Sequence, residues 1–308
     1  MKQDARVMTV TGEIAAVDLG FTLPHEHIMV DFIGARETGP HRYDRAHVVE
    51  TMEPLLAELP PLGVASFVEC TPMYLARDVS ILVELSRRTG LKILTNTGQY
   101  KPPFLPDSTF DREAEEIAAT WIAEWTDGID GTTVRPGFIK TAVEKGMLPP
   151  VLRKTITAAA ITSRETGLTV GTHCGCALAA REILTILERH GIEPCKWIFI
   201  HAQNENDHNA IVEIARRGAF IELDGIGPGT EEKHLKPLMK LLDAGYADRV
   251  LLSQDAGWYR VGEEPGGKKS SYTHLITEFL PMLARYGVED DTARAIMITN
   301  PAAAYSIG

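Results

Sequence analysis

The chain is poor in cysteine. Of its 308 residues, Cys70, Cys174, Cys176 and Cys195 are the four cysteines, too few and too scattered to frame a chain of this length with disulfides. With no leader pattern at the N-terminus, they are expected to be reduced thiols in a cytoplasmic protein. No apolar run approaches the roughly 18 residues of a membrane span, so no membrane partner is expected. Positive charge is also scarce. Lys and Arg number 31 against 42 Asp and Glu, a net charge of −11, and no basic run offers the face that nucleic acid or an anionic bilayer requires. A glycine fingerprint for dinucleotides is missing, as is any linker-like stretch. What is abundant is apolar surface: 44% of residues are hydrophobic, enough for one large core, and the expected organisation is a single domain over residues 1–308.

Short apolar runs rich in β-branched residues alternate with longer segments of helical period, the signature of parallel βαβ units. The runs begin with "TLPHEHIMVD" (residues 22–31) and continue through "VASFVECT", "KILTNTG", "RPGFIKTAV", "LTVGTHCGC", "WIFIHA", "AFIELDG" and "RVLLSQD". Helical segments lie between them, among them "DVSILVELSRRTG", with Gly90 at its expected C-cap, and the amphipathic stretch Phe110 to Asp127. Eight strand–helix pairs, with closing helices near Tyr272–Tyr286 and Asp290–Thr299, predict an α/β fold, a (β/α)8 TIM barrel. The preceding "VMTVTGEIAAVDLG" alternates around Thr11-Gly12 and predicts a short N-terminal β-hairpin extension over the barrel bottom.

Polar residues cluster where those strands end. His25 and His27 share one face of the first strand, because residues i and i+2 of a strand point the same way. Lys140 ends "GFIK", His173 ends "TVGTH", His201 ends "IFIH", and Asp255 follows "VLLSQ". Barrel active sites are built at the C-terminal ends of the strands. A lone histidine there is an ordinary hydrogen-bonded residue. Four imidazoles and a carboxylate converging at one end are costly to bury unless a cation organises them. Nitrogen and oxygen donors suit zinc, with manganese, cobalt or iron as alternatives. A neutral lysine amine can add carbon dioxide and become an anionic carbamate able to bridge two metals. Cys174 and Cys176 are one residue apart, unlike the two-residue gap of zinc knuckles, and are read as packed side chains.

"HEH" on strand one, lysine on strand four, histidines on strands five and six and aspartate on strand eight, together with "LGFTLPHEHI", "NTGQY" and "NPAAAYSI", resemble the phosphotriesterase and phosphotriesterase-like lactonase family of the amidohydrolase superfamily. The likeness runs from about Leu19 to Ile307. It implies one divalent metal ion held by His25, His27 and Asp255, a second by His173 and His201, and carbamylated Lys140 bridging the two. It further implies hydrolysis of a small lactone or ester by a hydroxide shared between the metals, with Asp255 as proton shuttle, Tyr100 beside the substrate carbonyl, weak promiscuous phosphotriesterase activity and a homodimer. An amidase acting on a small N-acyl compound is the alternative, since the same chemistry can cleave an amide.

Two departures stand out. Asp224 is followed by Gly225 where acyl-homoserine lactonases often have arginine, and Gln254 stands before Asp255 where many relatives have histidine. Substrate choice is expected in the long loop "AGWYRVGEEPGGKKSSYTHL", with Trp258 and Tyr259 as an apolar wall and Arg260, Lys268 and Lys269 as partners for a substrate anion.

Overall fold

A computed structural model describes residues 4–307. Arg6–Thr9 (β1) and Gly12–Ala15 (β2) pair antiparallel as the expected hairpin. Its turn carries Gly12 at φ 125°, a conformation that glycine adopts without a Cβ penalty.

The barrel follows as Thr22–Val30 (β3), Ser66–Glu69 (β4), Lys92–Leu94 (β5), Asn96–Thr97 (β6), Phe138–Ala142 (β7), Val170–His173 (β8), Trp197–Ile200 (β9), Phe220–Leu223 (β10) and Val250–Leu252 (β11). β5 and β6 are two halves of the third barrel strand, interrupted at Thr95. The ladders β3-β4-β5 and β6-β7-β8-β9-β10-β11 are parallel throughout. At the seam, the Asp255 N–H donates to the His25 carbonyl at 3.0 Å and the His27 N–H donates to the Ala256 carbonyl at 2.9 Å. The start of the long final loop is itself a strand, Gly257–Arg260 (β12), lying parallel to β3.

Helices Arg45–Ala57, Val79–Thr89, Ala114–Asp127, Pro150–Thr166, Ala177–Arg189, His208–Arg216 and Glu231–Asp243 pack outside the strands. Val79–Thr89 shows why such segments start and stop where they do. Asp78 accepts the N–H groups of Ser80 and Ile81, and Gly90 closes the last turn in the left-handed conformation. The stretch Phe110 to Asp127 is not one helix as the periodicity predicts. Arg112 is extended between Ser108–Asp111 and Ala114–Asp127. Glu113 and Glu116 form a capping box there, which satisfies the free N–H groups of a new helix start and so favours a break.

One core lies between strands and helices, and a second plugs the barrel bottom, where Val7 of the hairpin, Leu19, Phe138, Phe220 and Tyr305 are all buried. Burying each such aromatic or aliphatic side chain contributes roughly 1.5–3 kcal/mol. Tyr305 also donates its hydroxyl to the Pro24 carbonyl at 2.9 Å. With the bottom filled by apolar groups, the polar strand ends are left to the opposite mouth. Among the described residues, no helix is long and apolar enough to cross a membrane.

Candidate metal centre

All nine residues of β3 are buried, so its alternation divides polar groups between two interior faces. His25 and His27 turn into the barrel, with ring centroids 5.4 Å apart. Glu26 turns the other way and accepts from Ser253 Oγ at 2.8 Å, the Gln254 N–H at 3.1 Å and the Ala256 N–H at 2.7 Å. It therefore grips the backbone on both sides of Asp255, which sits at φ 50°. Gln254 points to the scaffold, donating to the Tyr272 carbonyl and accepting from the Leu275 N–H.

The outer hydrogen bonds decide which ring nitrogens face inward. Thr71 donates its hydroxyl hydrogen to the Met29 carbonyl at 3.0 Å, so towards His27 Nδ1, 2.7 Å away, it acts as acceptor. His27 thus carries its proton on Nδ1 and presents a bare Nε2. His25 Nδ1 donates to Glu222 Oε1 at 2.6 Å with Asp224 Oδ2 at 3.4 Å, and His201 Nδ1 donates to Asp224. His201 stands at φ 62°, and its N–H also bonds Asp224 at 3.0 Å. Three imidazoles are fixed from behind in this way, each with Nε2 free of the outer contact.

Burial keeps the His25, His27 and His173 rings neutral. It drives the His25 pKa down to about 3, helped by the Lys140 charge, and lowers His27 and His173 as well. Burial also pushes the Glu222 carboxyl far up, reinforced by the Asp224 charge. Asp224 is held well below the carboxylate range because His201 and His25 outweigh its own burial. For Asp255, the cost of burial is outweighed by its surroundings of His27, His25 and His201, and its pKa is lowered.

The donor set fits a cation. His27 Nε2 and Asp255 Oδ1 lie 3.1 Å apart, a bare lone pair facing a carboxylate oxygen that has no hydrogen-bond partner. Such a contact is repulsive unless a positive charge sits beside it. Lys140 is 2% exposed, and its Nζ lies 3.3 Å from His25 Nε2. Three groups of possible ligand atoms fall within 4.8 Å of one another: His25, His27 and Asp255; His25, Glu222 and Asp224; and His201, Asp224 and Asp255. His173 stands beside them, its ring 4.4 Å from that of His201, but its nitrogens face Tyr100 OH at 2.9 Å and Lys101 Nζ at 3.4 Å.

A cavity of about 410 Å³ opens over this cluster, walled by Val30, Phe32, Leu75, Tyr100 and Trp258. Of the three residues expected to line it from the final loop, Trp258 does, its ring tilted over His27 with centroids 4.1 Å apart and its Nε1 donating to the Asp255 carbonyl at 2.6 Å. Tyr259 does not. It is buried behind β12 against His47, because strand alternation turns it away from its neighbour. Arg260 lies exposed on the rim, 3.6 Å from Glu263, and Lys269 donates to the Pro265 carbonyl. Cys174 is buried and Cys176 partly so, both as free thiols. Sequence reasoning missed Glu222, Asp224 and Thr71 as the groups behind the histidines. A signal existed, since Glu222 and Asp224 in "IELD" are two apart at the end of a strand and so share a face.

Residues 5–305 match the family model described as the phosphotriesterase family. An aryldialkylphosphatase of Saccharolobus solfataricus is 30% identical over 302 residues, covering 94% of this chain and 95% of that protein. An N-acetyltaurine hydrolase of Bos taurus is 24% identical, with 96% of each chain covered. Among solved structures, a mutant of the organophosphorus hydrolase from Deinococcus radiodurans superposes with a TM-score of 0.89 at 30% identity over 98% of both chains.

Proposed function

From the premise that this chain belongs to the phosphotriesterase family, and is a hydrolase built on its barrel, we propose that it cleaves a lactone or other carboxylic ester at a centre of two divalent cations. The facing atoms His27 Nε2 and Asp255 Oδ1 carry this reading, since a cation between or beside them makes the approach of two acceptors favourable. His25, His27 and Asp255 would hold one ion, His173 and His201 the other, and Lys140 as its carbamate would serve both. Zinc suits the donors best, with manganese, cobalt or iron as substitutes. Bound there, the ions would acidify water and polarise the ester carbonyl.

The side chains supply the rest. Asp255, its pKa lowered, takes the proton of the attacking water and returns it to the leaving alkoxide. Glu26 holds the Asp255 peptide in its positive-φ conformation while that transfer occurs. Tyr100, whose hydroxyl burial keeps protonated and which lies 2.9 Å from His173 Nδ1, would offer that hydroxyl to the substrate carbonyl. Phe32, Leu75 and Trp258 exclude water from the acyl chain. The four free thiols suit a reducing compartment, the cytoplasm.

A second reading is an amidase, favoured by the likeness to an N-acetyltaurine hydrolase. Asp255 would then protonate a departing amine. The deciding experiment is elemental analysis of the purified protein beside hydrolysis of γ- and δ-lactones, aryl esters, N-acyl amino acids and paraoxon. About two metals per chain with chelator-sensitive lactone turnover is the expected result. Amide turnover alone would replace the ester reading. Inactivity after reconstitution with zinc, cobalt or manganese and bicarbonate would refute both.

A further inference from the structure

Beside the cavity over the metal centre, sharing His173 and His201 with it, lies a second arm with a different lining. It is a groove of about 620 Å³ bordered by Lys101, Glu144, Lys145, His173, His201 and Asn204. From His201 and Asn204 a neighbouring hollow of about 540 Å³ continues to Lys233. The first arm is apolar and aromatic; the second is edged by three lysines, with Glu144, Asp224 and Asp255 as its carboxylates, in a chain whose net charge is −11.

Lys101 is the best placed of the three. Its side chain is 17% exposed, and its ammonium lies 3.4 Å from His173 Nε2 and 5.7 Å from the centre of the Tyr100 ring, facing the cluster rather than bulk solvent. Its ionic partner, Glu144 at 3.1 Å, is 60% exposed, and an ion pair so open to water is weak enough for a substrate anion to displace. Lys233 is turned to Asn204 Oδ1 at 2.6 Å, a neutral partner that leaves its charge uncompensated at that contact. Of the other carboxylates nearby, Asp255 belongs to the proposed cation site, and the rest are engaged elsewhere. Glu205 accepts the N–H groups of Ala177 and Asp207, and Asp224 serves His201.

We propose that this second arm is an anion subsite, in which Lys101, with Lys145 and Lys233 at its rim, receives a negatively charged substituent of the substrate. The inference rests on the hydrolase reading above and narrows its substrate class. The scissile carbonyl lies at the metal centre, an apolar part lies against Phe32 and Trp258, and a carboxylate or similar anion reaches past His173. The strand-eight loop, where Arg260 faces solvent, is thereby excluded as the anion's seat.

The test compares two ring-opened lactone products that differ by one carboxylate, 2-hydroxyglutarate and 4-hydroxybutyrate. Their binding to the zinc-loaded protein is measured by calorimetry, which needs no turnover. The wild type is expected to bind 2-hydroxyglutarate roughly tenfold more tightly, and Lys101→Gln and Lys101→Met to lose most of that difference. In kinetics, 5-oxotetrahydrofuran-2-carboxylate should exceed its carboxamide in kcat/KM by a similar factor, and added salt should erode the preference. Equal binding of the two products by the wild type overturns the subsite, whether or not lactones are hydrolysed. So does a preference that survives both Lys101 variants but falls with Arg260→Gln. Failure of the hydrolase reading would be seen separately, as absence of turnover for every ester and amide tried.

Discussion

Glu26 accepts the N–H of Ala256 at 2.7 Å, so the residue between the two strand-one histidines holds the backbone that presents Asp255. The central residue of "HEH" and the strand-eight aspartate are separated by most of the chain, yet one carboxylate links them. Glu26→Gln retains one acceptor oxygen and loses the other. It is expected to fold, to lower metal affinity or kcat/KM by roughly 10- to 100-fold, and to leave the far-ultraviolet circular dichroism unchanged. Metal titration beside steady-state kinetics checks this, and an unaltered metal affinity and rate would remove Glu26 from the site.

Metal removal should register in stability as well as activity, because a ligand that binds the folded state alone stabilises it. Chelator-treated protein is expected to melt more than about 5 °C below the zinc-reconstituted form. His25→Ala should bind less metal and lose most of this shift. A melting temperature indifferent to zinc would argue against the cluster as a cation site.

Gly98 is at φ 112°, and a Cβ there would stand 2.1 Å from the Lys140 carbonyl oxygen. Gly98→Ala therefore combines backbone strain with a collision against β7, at a cost of roughly 2–4 kcal/mol. Chemical denaturation should show that loss, with activity falling further than stability because β7 carries Lys140.

Trp258 closes the apolar arm and bonds the Asp255 carbonyl. Trp258→Ala is expected to raise KM for hydrophobic esters by roughly tenfold, with a smaller change in kcat. Short-chain substrates should be affected least. A uniform loss across acyl lengths would place Trp258 in support of Asp255 rather than in contact with substrate.

Glu182 links the segment after β7 to helix Ala177–Arg189, accepting the Leu148 N–H at 3.0 Å and pairing with Arg153. Partial burial would raise its pKa, but those two contacts prevail and lower it from 4.5. A depressed carboxylate contributes stability that is present above its unfolded pKa and is lost as pH falls through its folded pKa. Glu182→Gln should thus cost about 0.5–1 kcal/mol near neutral pH, and the gap to wild type should close as the pH drops below 4.5. Urea melts across that range decide it.

The barrel and the residues at its mouth were legible because both follow short periods. Two-residue alternation in "TLPHEHIMVD" assigns His25 and His27 to one face and Glu26 to the other, and strand-end position assigns Lys140, His173, His201 and Asp255 to one mouth. The hairpin, the cap at Gly90 and the closing helical segments near Leu280–Arg285 and Asp290–Arg294 followed from equally local rules. What tertiary structure alone decided was which groups stand behind and beside those residues. His201 and Asp255 follow their strands at φ 62° and 50°, and Trp258 stands within β12 at φ 71°, turns that no hydrophobic period encodes. Those turns bring Asp224 under His201, aim Asp255 at His27 and bring Trp258 into the cavity, while the strand pairing of β12 sends Tyr259 behind the sheet. Lys101 likewise reaches His173 across 72 residues of sequence. Spacing along a strand fixes the direction of a side chain relative to its neighbours; only the closed barrel fixes its distance to a side chain from another strand.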